Sequence, residues 1–200
     1  MNGVLLNCST SKSSDSSAEE KWLTVSARIF HSEQVDLHRF HLSDYDLTSD
    51  YTNEREGWGY IFGKIKAADM IIFATSADEG KINSVASQLV KRLHTHQNTP
   101  NQKGQSLFYN KIGGVIASGN NENESCSASQ SFLYHISLLG FTIPPHANVC
   151  GEKLSSQAHE SQNHYTTASQ QIERMTYNVI HFAEILKFHP IPVIGNTLKK

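Results

Sequence analysis

Ten consecutive residues near the start of the chain, residues 8–17, carry side chains suited to binding an anion. Six of the ten are serine, and the others are one each of cysteine, threonine, lysine and aspartate. Short hydroxyl groups donate hydrogen bonds without bulk, and the free N–H groups at the start of a helix attract negative charge. We therefore predict that this segment binds a phosphate group. The alternative is a flexible serine-rich turn that contains a helix N-cap.

The segments on either side of residues 8–17 can position such a site. Residues 4–6, Val-Leu-Leu, form an apolar run long enough for a buried strand and too short for a helix. From Ala18 onward, apolar residues recur three or four positions apart, which predicts a helix. A buried strand, a hydroxyl-rich turn and a helix N-terminus in this order form the usual architecture of a phosphate site.

Further strands and helices alternate along the rest of the chain. Residues 70–74 form its most apolar five-residue run, which predicts a central strand buried on both faces. Residues 34–42 come close to alternating apolar and polar side chains, as a half-exposed edge strand does. Two more strands are predicted at residues 111–118 and 141–145, and further helices at residues 54–67, 82–96, 127–139 and 165–187.

This alternation predicts a parallel sheet covered on both faces. Five strands with short turns at their carboxyl ends match the flavodoxin-like order 2-1-3-4-5. We therefore predict a single α/β domain over residues 1–200, a flavodoxin-like three-layer sandwich whose five-stranded parallel sheet has helices on both faces. In that order the turns at residues 8–17, 75–80 and 118–123 lie side by side, which predicts a ligand crevice.

Several motifs at these positions resemble those of the flavodoxin-like NADPH-dependent FMN reductase family, which includes quinone and azo-dye reductases. Residues 68–75, Ala-Asp-Met-Ile-Ile-Phe-Ala-Thr, match the family pattern A-D-x-I-I-F and the threonine of the next loop. Residues 139–145, Leu-Gly-Phe-Thr-Ile-Pro-Pro, match L-G-F-x-x-P-P. The similarity covers residues 3–150, and the pattern K-x-G-x-V-x-x-x-G is kept by Lys111, Gly113, Val115 and Gly119.

The loops that contact the cofactor in that family differ here. In the family's turn G-S-x-R-x-x-S-x-T, Asn7 replaces the glycine and Thr10 the arginine, so that Lys12 is the nearest cation. In the loop T-P-x-Y, Ser76 replaces the proline and Asp78 the tyrosine. Since these loops bind flavin largely through backbone groups, FMN binding remains the preferred hypothesis.

The resemblance implies an enzyme that binds FMN, takes reducing equivalents from NAD(P)H and passes them to a quinone or similar small acceptor. It also implies a homodimer or homotetramer, and a flavin that carries the chemistry, so no catalytic side chain is assigned. The implied phosphate-binding residues are Ser9, Thr10, Ser11, Lys12, Ser14, Ser16 and Ser17. Those implied to frame the flavin ring are Thr75, Ser76, Ala77, Asp78, Glu79, Ser118, Gly119, Asn120 and Asn121.

Three other interpretations compete with this one. The first is a flavodoxin-like module that has lost flavin and acts as a non-enzymatic interaction or regulatory protein. The second is a low-molecular-weight tyrosine phosphatase, which needs C-x5-R, but Ser14 stands in the arginine position after Cys8. The third is a serine hydrolase, for which no G-x-S-x-G turn is present. Cys126 and Cys150 are interpreted as small buried hydrophobic residues rather than redox partners.

Composition narrows the class of partner. A net charge of −2 gives no reason to expect nucleic acid, and no apolar run approaches the length of a membrane span. The three cysteines and eleven histidines lack the spacing of metal ligands, so no metal site is expected. No basic region followed by an apolar one is visible at the N-terminus, and we expect a cytoplasmic, reduced protein.

Overall fold

A computed structural model describes residues 1–15, 17–47, 57–152 and 161–192, with side chains omitted for residues 161–166. Five parallel strands form the sheet in the spatial order β2-β1-β3-β5-β6, and β4 pairs antiparallel with β3. Since β4 belongs to a hairpin, the parallel strands follow the predicted order 2-1-3-4-5. The strands are β1 (Asn2–Asn7), β2 (Asp36–His41), β3 (Met70–Asp78), β4 (Lys81–Ile82), β5 (Ile112–Gly119) and β6 (Asn148–Glu152).

Helices cover both faces of this sheet and bury a separate apolar cluster on each. On one face α1 and α5 pack over Leu5 and Ile72, and on the other α2, α3 and α4 pack over Leu6 and Phe73. Successive residues of a strand point to opposite faces, so neighbouring apolar residues in β1 and β3 supply both clusters. The helices are α1 (Ala18–Ser32), α2 (Trp58–Ala67), α3 (Ser84–His94), α4 (Glu122–Leu139) and α5 (Ser161–Phe188), and a short 3-10 helix covers Leu42–Asp44.

The flavodoxin-like prediction is confirmed, but the position of the last strand is wrong. Residues 141–145 pair with the sheet only through a single bridge between Thr142 and Ile112. Pro144 and Pro145 have no backbone N–H, so this segment cannot continue a ladder. The chain turns at His146, whose φ is 58°, and the fifth parallel strand is Asn148–Glu152.

Two boundaries predicted at the carboxyl edge of the sheet also differ from those in the structure. Residues 75–80 are not a simple turn, since β3 continues to Asp78 and doubles back through Glu79 and Gly80 into β4. Both turn residues have positive φ, 48° and 76°, as a two-residue hairpin with type I′ geometry requires. Helix α4 begins at Glu122 rather than 127, because Asn121 caps it.

Candidate functional site

Three connections meet at the carboxyl edge of the sheet: the β1–α1 loop (residues 8–17), the β3–β4 hairpin and the β5–α4 turn (residues 119–121). Neighbouring strands β1, β3 and β5 place them side by side, as predicted. The β5–α4 turn is tight, since a Cβ on Gly119 would lie 2.8 Å from the Ser125 backbone nitrogen. Only glycine fits there, which explains the glycine of the sequence motif.

In the β1–α1 loop, alternate backbone amides donate hydrogen bonds to side chains of the protein. The Ser9 amide donates to Asn7 Oδ1 at 2.9 Å, and the Ser11 amide donates to Ser9 Oγ at 3.3 Å. The Ser13 amide donates to Asp44 Oδ1 at 3.2 Å. Hydrogen bonds from Ser13 hold the pKa of the Asp44 carboxyl below its usual value, so that this loop already binds one carboxylate.

The intervening amides of the loop remain available for a ligand. In the described residues, the backbone N–H groups of Thr10, Lys12 and Ser14 donate no hydrogen bond. The loop leads into the N-terminus of α1, where Ser17 Oγ accepts from the Glu20 amide at 3.1 Å. Free amides beside the positive end of a helix dipole form a site for an anion such as phosphate.

The end of β2 supports this loop from the side. His41 Nε2 lies 2.6 Å from the Ser11 carbonyl oxygen, which can only accept, so Nε2 carries the proton. Ser43 Oγ donates to the Ser9 carbonyl oxygen. His41 is buried, and in the described part of the chain its Nδ1 has no hydrogen-bond partner, although Glu20 Oε2 lies 3.9 Å away.

Asn83 joins the β1–α1 loop to the end of β3. Its Nδ2 donates to the Cys8 carbonyl oxygen at 2.8 Å and to Ser76 Oγ at 2.9 Å. Its Oδ1 accepts from the Ala86 amide at 2.9 Å and so caps α3. One buried side chain therefore fixes two of the three connections relative to each other.

Glu19 and Ser118 link α1 to β5 beneath the site. Both are buried, and the Ser118 hydroxyl donates to Glu19 Oε1. The Thr75 hydroxyl is also turned inward and donates to the Ser76 carbonyl oxygen at 3.1 Å. These two hydroxyls therefore serve the scaffold of the site in this structure.

The predicted phosphate-binding residues lie together on one loop. Ser9 is buried, Ser11 and Ser17 are half-buried, and Thr10, Lys12 and Ser14 are exposed. Ser16 lies outside the described residues.

The predicted ring-framing residues also converge at the carboxyl edge, with different exposure. Thr75, Ala77, Ser118 and Gly119 are buried and Ser76 is half-buried, whereas Asp78, Glu79, Asn120 and Asn121 are exposed. The side chain of Asn121 accepts from the Glu124 amide at 2.9 Å. Asn120 and Asn121 both donate to the Glu124 carboxylate, each at 3.1 Å.

Cys8 is unsuited to nucleophilic catalysis. Its side chain is fully buried, and burial together with the charge of Glu19 raises the pKa of the thiol far above its usual value. A phosphatase needs a thiolate, and an apolar, negatively charged surrounding disfavours it. The structure therefore agrees with the absence of C-x5-R in arguing against the phosphatase interpretation.

Among the described residues, no group of three or more His, Cys, Asp or Glu could hold a metal ion. Over the same part of the chain, no helix is both long and apolar enough to cross a membrane.

Sequence reasoning missed the residues that support the site from other elements, chiefly His41, Asn83 and Glu19. Asn83 has a local signal, since an asparagine directly before the apolar stripe of α3 is a typical N-cap. His41 and Glu19 have none, because their partners Ser11 and Ser118 are 30 and 99 positions away in sequence.

Comparisons with known proteins agree with the fold. A family model described as NADPH-dependent FMN reductase matches residues 1–153. The 8-demethyl-8-aminoriboflavin-5'-phosphate synthase of Streptomyces davaonensis is 20% identical over 95% of this chain and 80% of its own length. The divalent metal cation transporter MntH of Mycobacterium bovis is 23% identical over 94% of this chain, but this chain spans only 29% of that protein. The solved structure of RosB with bound 8-demethyl-8-formylriboflavin-5'-phosphate matches this chain with a TM-score of 0.81 at 19% identity. The match covers 96% of this chain and 82% of the RosB chain.

Proposed function

The chain belongs to the NADPH-dependent FMN reductase family, and from this premise we propose that it binds FMN and passes reducing equivalents from NAD(P)H to a quinone or similar small acceptor. The observation that carries the proposal is that, among the described residues, the backbone amides of Thr10, Lys12 and Ser14 beside the N-terminus of α1 donate no hydrogen bond. They fit a phosphate, whose oxygens accept several hydrogen bonds at once.

In this proposal the loop amides and the hydroxyls of Ser9, Ser11, Ser14, Ser16 and Ser17 hold the phosphate, with Lys12 as the accompanying cation. The β3–β4 hairpin and the β5–α4 turn orient the flavin ring between them. When bound, FMN supplies the ability to accept a hydride and to return electrons to an acceptor. The protein supplies position and electrostatics, and no side chain has to move a proton.

The phosphate site is tested by titrating the protein with FMN and with riboflavin, which lacks the phosphate. We expect FMN to bind at least ten times more tightly than riboflavin. Ser14→Asp should remove most of that difference, because a carboxylate would face the phosphate, whereas the neutral, similarly sized Ser14→Asn should keep it. Equal affinities for the two flavins in the parent protein would refute a phosphate site on this loop.

The oxidoreductase activity is tested separately, by NADPH or NADH oxidation with a para-quinone in the presence of FMN. We expect turnover that requires both flavin and quinone. A colourless protein that binds neither flavin would instead support the flavin-free module.

A second candidate function treats the flavin as the substrate. The relative from Streptomyces davaonensis is named for making a modified riboflavin phosphate, and its match extends over 95% of this chain. In the second candidate this chain chemically alters bound FMN. Mass spectrometry of the flavin released after turnover distinguishes the two, since a reductase returns FMN with its mass unchanged.

A further inference from the structure

Two cysteines outside the serine-rich loop line one cavity at the edge of the sheet. Cys126 belongs to the first turns of α4 and Cys150 to the edge strand β6. Both are half-buried rather than buried, so their interpretation as buried hydrophobic residues is wrong. They line one cavity of about 350 Å³, together with His146, Asn148 and Arg174 among others.

The fold brings these thiols together in a way that their separation in sequence does not reveal. Val149 is buried in the cluster under α1 and α5, so the next residue, Cys150, points to the opposite face of β6, where α4 packs. There Cys150 faces the cavity that Cys126 of α4 also lines, and the neighbouring Cys126 contributes to the raised pKa of the Cys150 thiol. Asn148 Nδ2 also donates to Cys150 Sγ at 3.8 Å.

We propose that Cys126 and Cys150 are a reversible dithiol, which is oxidised to an intramolecular disulfide by low-molecular-weight disulfides that enter this cavity. The Cys126 thiolate attacks one sulfur of the small disulfide and releases the first small thiol. Cys150 then loses its proton and attacks the Cys126 sulfur of the mixed disulfide, which releases the second. The protein loses two electrons and two protons, and the small disulfide gains them as two thiols.

The surroundings of the two thiols set this order of attack. Burial and the neighbouring Cys126 raise the pKa of the Cys150 thiol to about 12, so Cys150 is a poor first nucleophile. The second step is intramolecular between two side chains that line the same cavity, and this proximity offsets the shortage of thiolate.

The third cysteine, Cys8, is an internal control for the reactivity of the thiols. Cys8 is fully buried beneath the β1–α1 loop, and its thiol pKa is raised further than that of Cys150. It should therefore not react in the folded protein. The disulfide would tie the start of α4 to β6, whose Cys150 pairs in register with Ala117, two residues before Gly119.

The experiment incubates the reduced full-length chain in glutathione buffers of increasing glutathione disulfide content, followed by acid quenching, alkylation with N-ethylmaleimide and intact mass measurement. We expect the parent to lose two alkylatable thiols and two hydrogen masses, with dithiothreitol restoring both. Peptide mapping should identify a Cys126–Cys150 crosslink and an unmodified Cys8. No flavin is needed, so this test is independent of the proposed function.

Single variants test the order of attack. Cys150→Ser should stop at a glutathione adduct on Cys126, and Cys126→Ser should remain unmodified under the same conditions. The proposal is wrong if the parent keeps three alkylatable thiols in the most oxidising buffer. It is equally wrong if the only products are mixed disulfides, crosslinks to Cys8 or disulfide-linked dimers.

Discussion

Single residues outside the serine-rich loop hold that loop in shape, and His41 is the clearest example. Its imidazole is 8% exposed and donates to a carbonyl in the middle of the loop. The free amides at positions 10, 12 and 14 depend on the peptide planes around that carbonyl. In the proposed function, the affinity for phosphate is therefore set partly by a side chain that does not touch the ligand.

His41→Leu should weaken FMN binding, because Ser11 loses the hydrogen bond that orients its peptide. A hydrogen bond of this kind contributes about 1 kcal/mol, so we expect FMN affinity to fall about fivefold, with riboflavin affinity little changed. His41→Gln, which retains an N–H donor, should recover part of the loss. The matched control is His38→Leu on the same strand, and an equal loss in that variant would contradict a specific role for His41.

The charges of Asp78 and Glu79 are expected to change the reduction potential of a bound flavin. Both side chains are exposed, so water screens them. A carboxylate assumed to lie about 8 Å from the ring, in a dielectric of about 80, opposes an added negative charge by about 0.5 kcal/mol. We therefore expect Asp78→Asn with Glu79→Gln to raise the reduction potential of bound FMN by about 20 mV per carboxylate for a one-electron step.

Spectroscopic redox titration of the parent and the double variant at low salt measures this shift. Asp15→Asn provides a control, since that exposed carboxylate lies on the phosphate loop instead of the hairpin. Identical potentials in the parent and the double variant would mean that the hairpin carboxylates do not face the ring.

At the scale of elements, the connections between strands and helices are fixed by buried polar side chains. Asn83 caps α3 and also ties the ends of β1 and β3 together. Lys111, directly before β5, performs a similar task at the opposite edge of the sheet. Its Nζ donates to the carbonyl oxygens of Lys66 and Ala68 at 2.6 and 2.5 Å, at the C-terminus of α2.

Asn83→Ala should lower the free energy of unfolding by about 2–4 kcal/mol, the sum of a lost N-cap and a buried carbonyl left without its donor. Asn83→Asp keeps an oxygen to cap α3 but loses both donated hydrogen bonds, so it separates the two contributions. Urea denaturation measures both variants. If Asn83→Asp were as stable as the parent, the bonds to Cys8 and Ser76 would contribute nothing.

Lys111 should give the stability of the protein a distinctive pH dependence. Burial lowers the pKa of its ammonium group from 10.5 to about 8. Between these two values the unfolded chain binds more protons than the folded one, so the free energy of unfolding rises with pH. Relative to Lys111→Met, the parent should therefore gain up to about 3 kcal/mol as pH rises from 7 to 10.

Urea denaturation of both proteins across this pH range tests the sign as well as the size. Lys91→Met replaces an exposed lysine in α3 and should show no such pH-dependent difference from the parent. A parent that loses stability relative to Lys111→Met as pH rises would contradict the assignment.

For the whole molecule, stability comes from two apolar clusters on opposite faces of one sheet. Phe73 in the central strand β3 is fully buried. The centroid of its ring lies 5.1 Å from the ring centroid of Phe132 and 6.0 Å from that of Phe141. These contacts join α4 and the segment after it to the middle of the sheet. The site at the carboxyl edge depends on this packing for its position.

Phe73→Ala should lower the free energy of unfolding by about 3–5 kcal/mol, because the surrounding rings cannot fill the cavity. This is a large part of the roughly 5–15 kcal/mol that such a domain has in total. Tyr134→Ala removes an aromatic side chain that is 62% exposed and should change stability little. An unchanged urea midpoint for Phe73→Ala would mean that β3 does not form the core.

The local pattern of the sequence predicts the fold, which the structure confirms, and it also predicts where the site lies. Apolar runs at residues 4–6 and 70–74, separated by helical patterns, leave few alternatives to a parallel sheet, because burial of apolar surface acts on local periodicity. Once the strand order follows, the turns after β1, β3 and β5 must meet. The serine-rich loop is therefore predicted as the phosphate site from its place after β1 and from its composition.

Which polar groups of those turns lack a partner among the described residues follows from the tertiary structure and not from the local sequence. The bond between Ser118 and Glu19, the bond between His41 and Ser11 and the cavity shared by Cys126 and Cys150 all join residues that are far apart in sequence. Hydrogen bonds act over about 3 Å and depend on direction, so composition and periodicity do not encode their partners. Likewise, no local pattern reveals that a half-buried edge strand would bring two scattered thiols into one cavity.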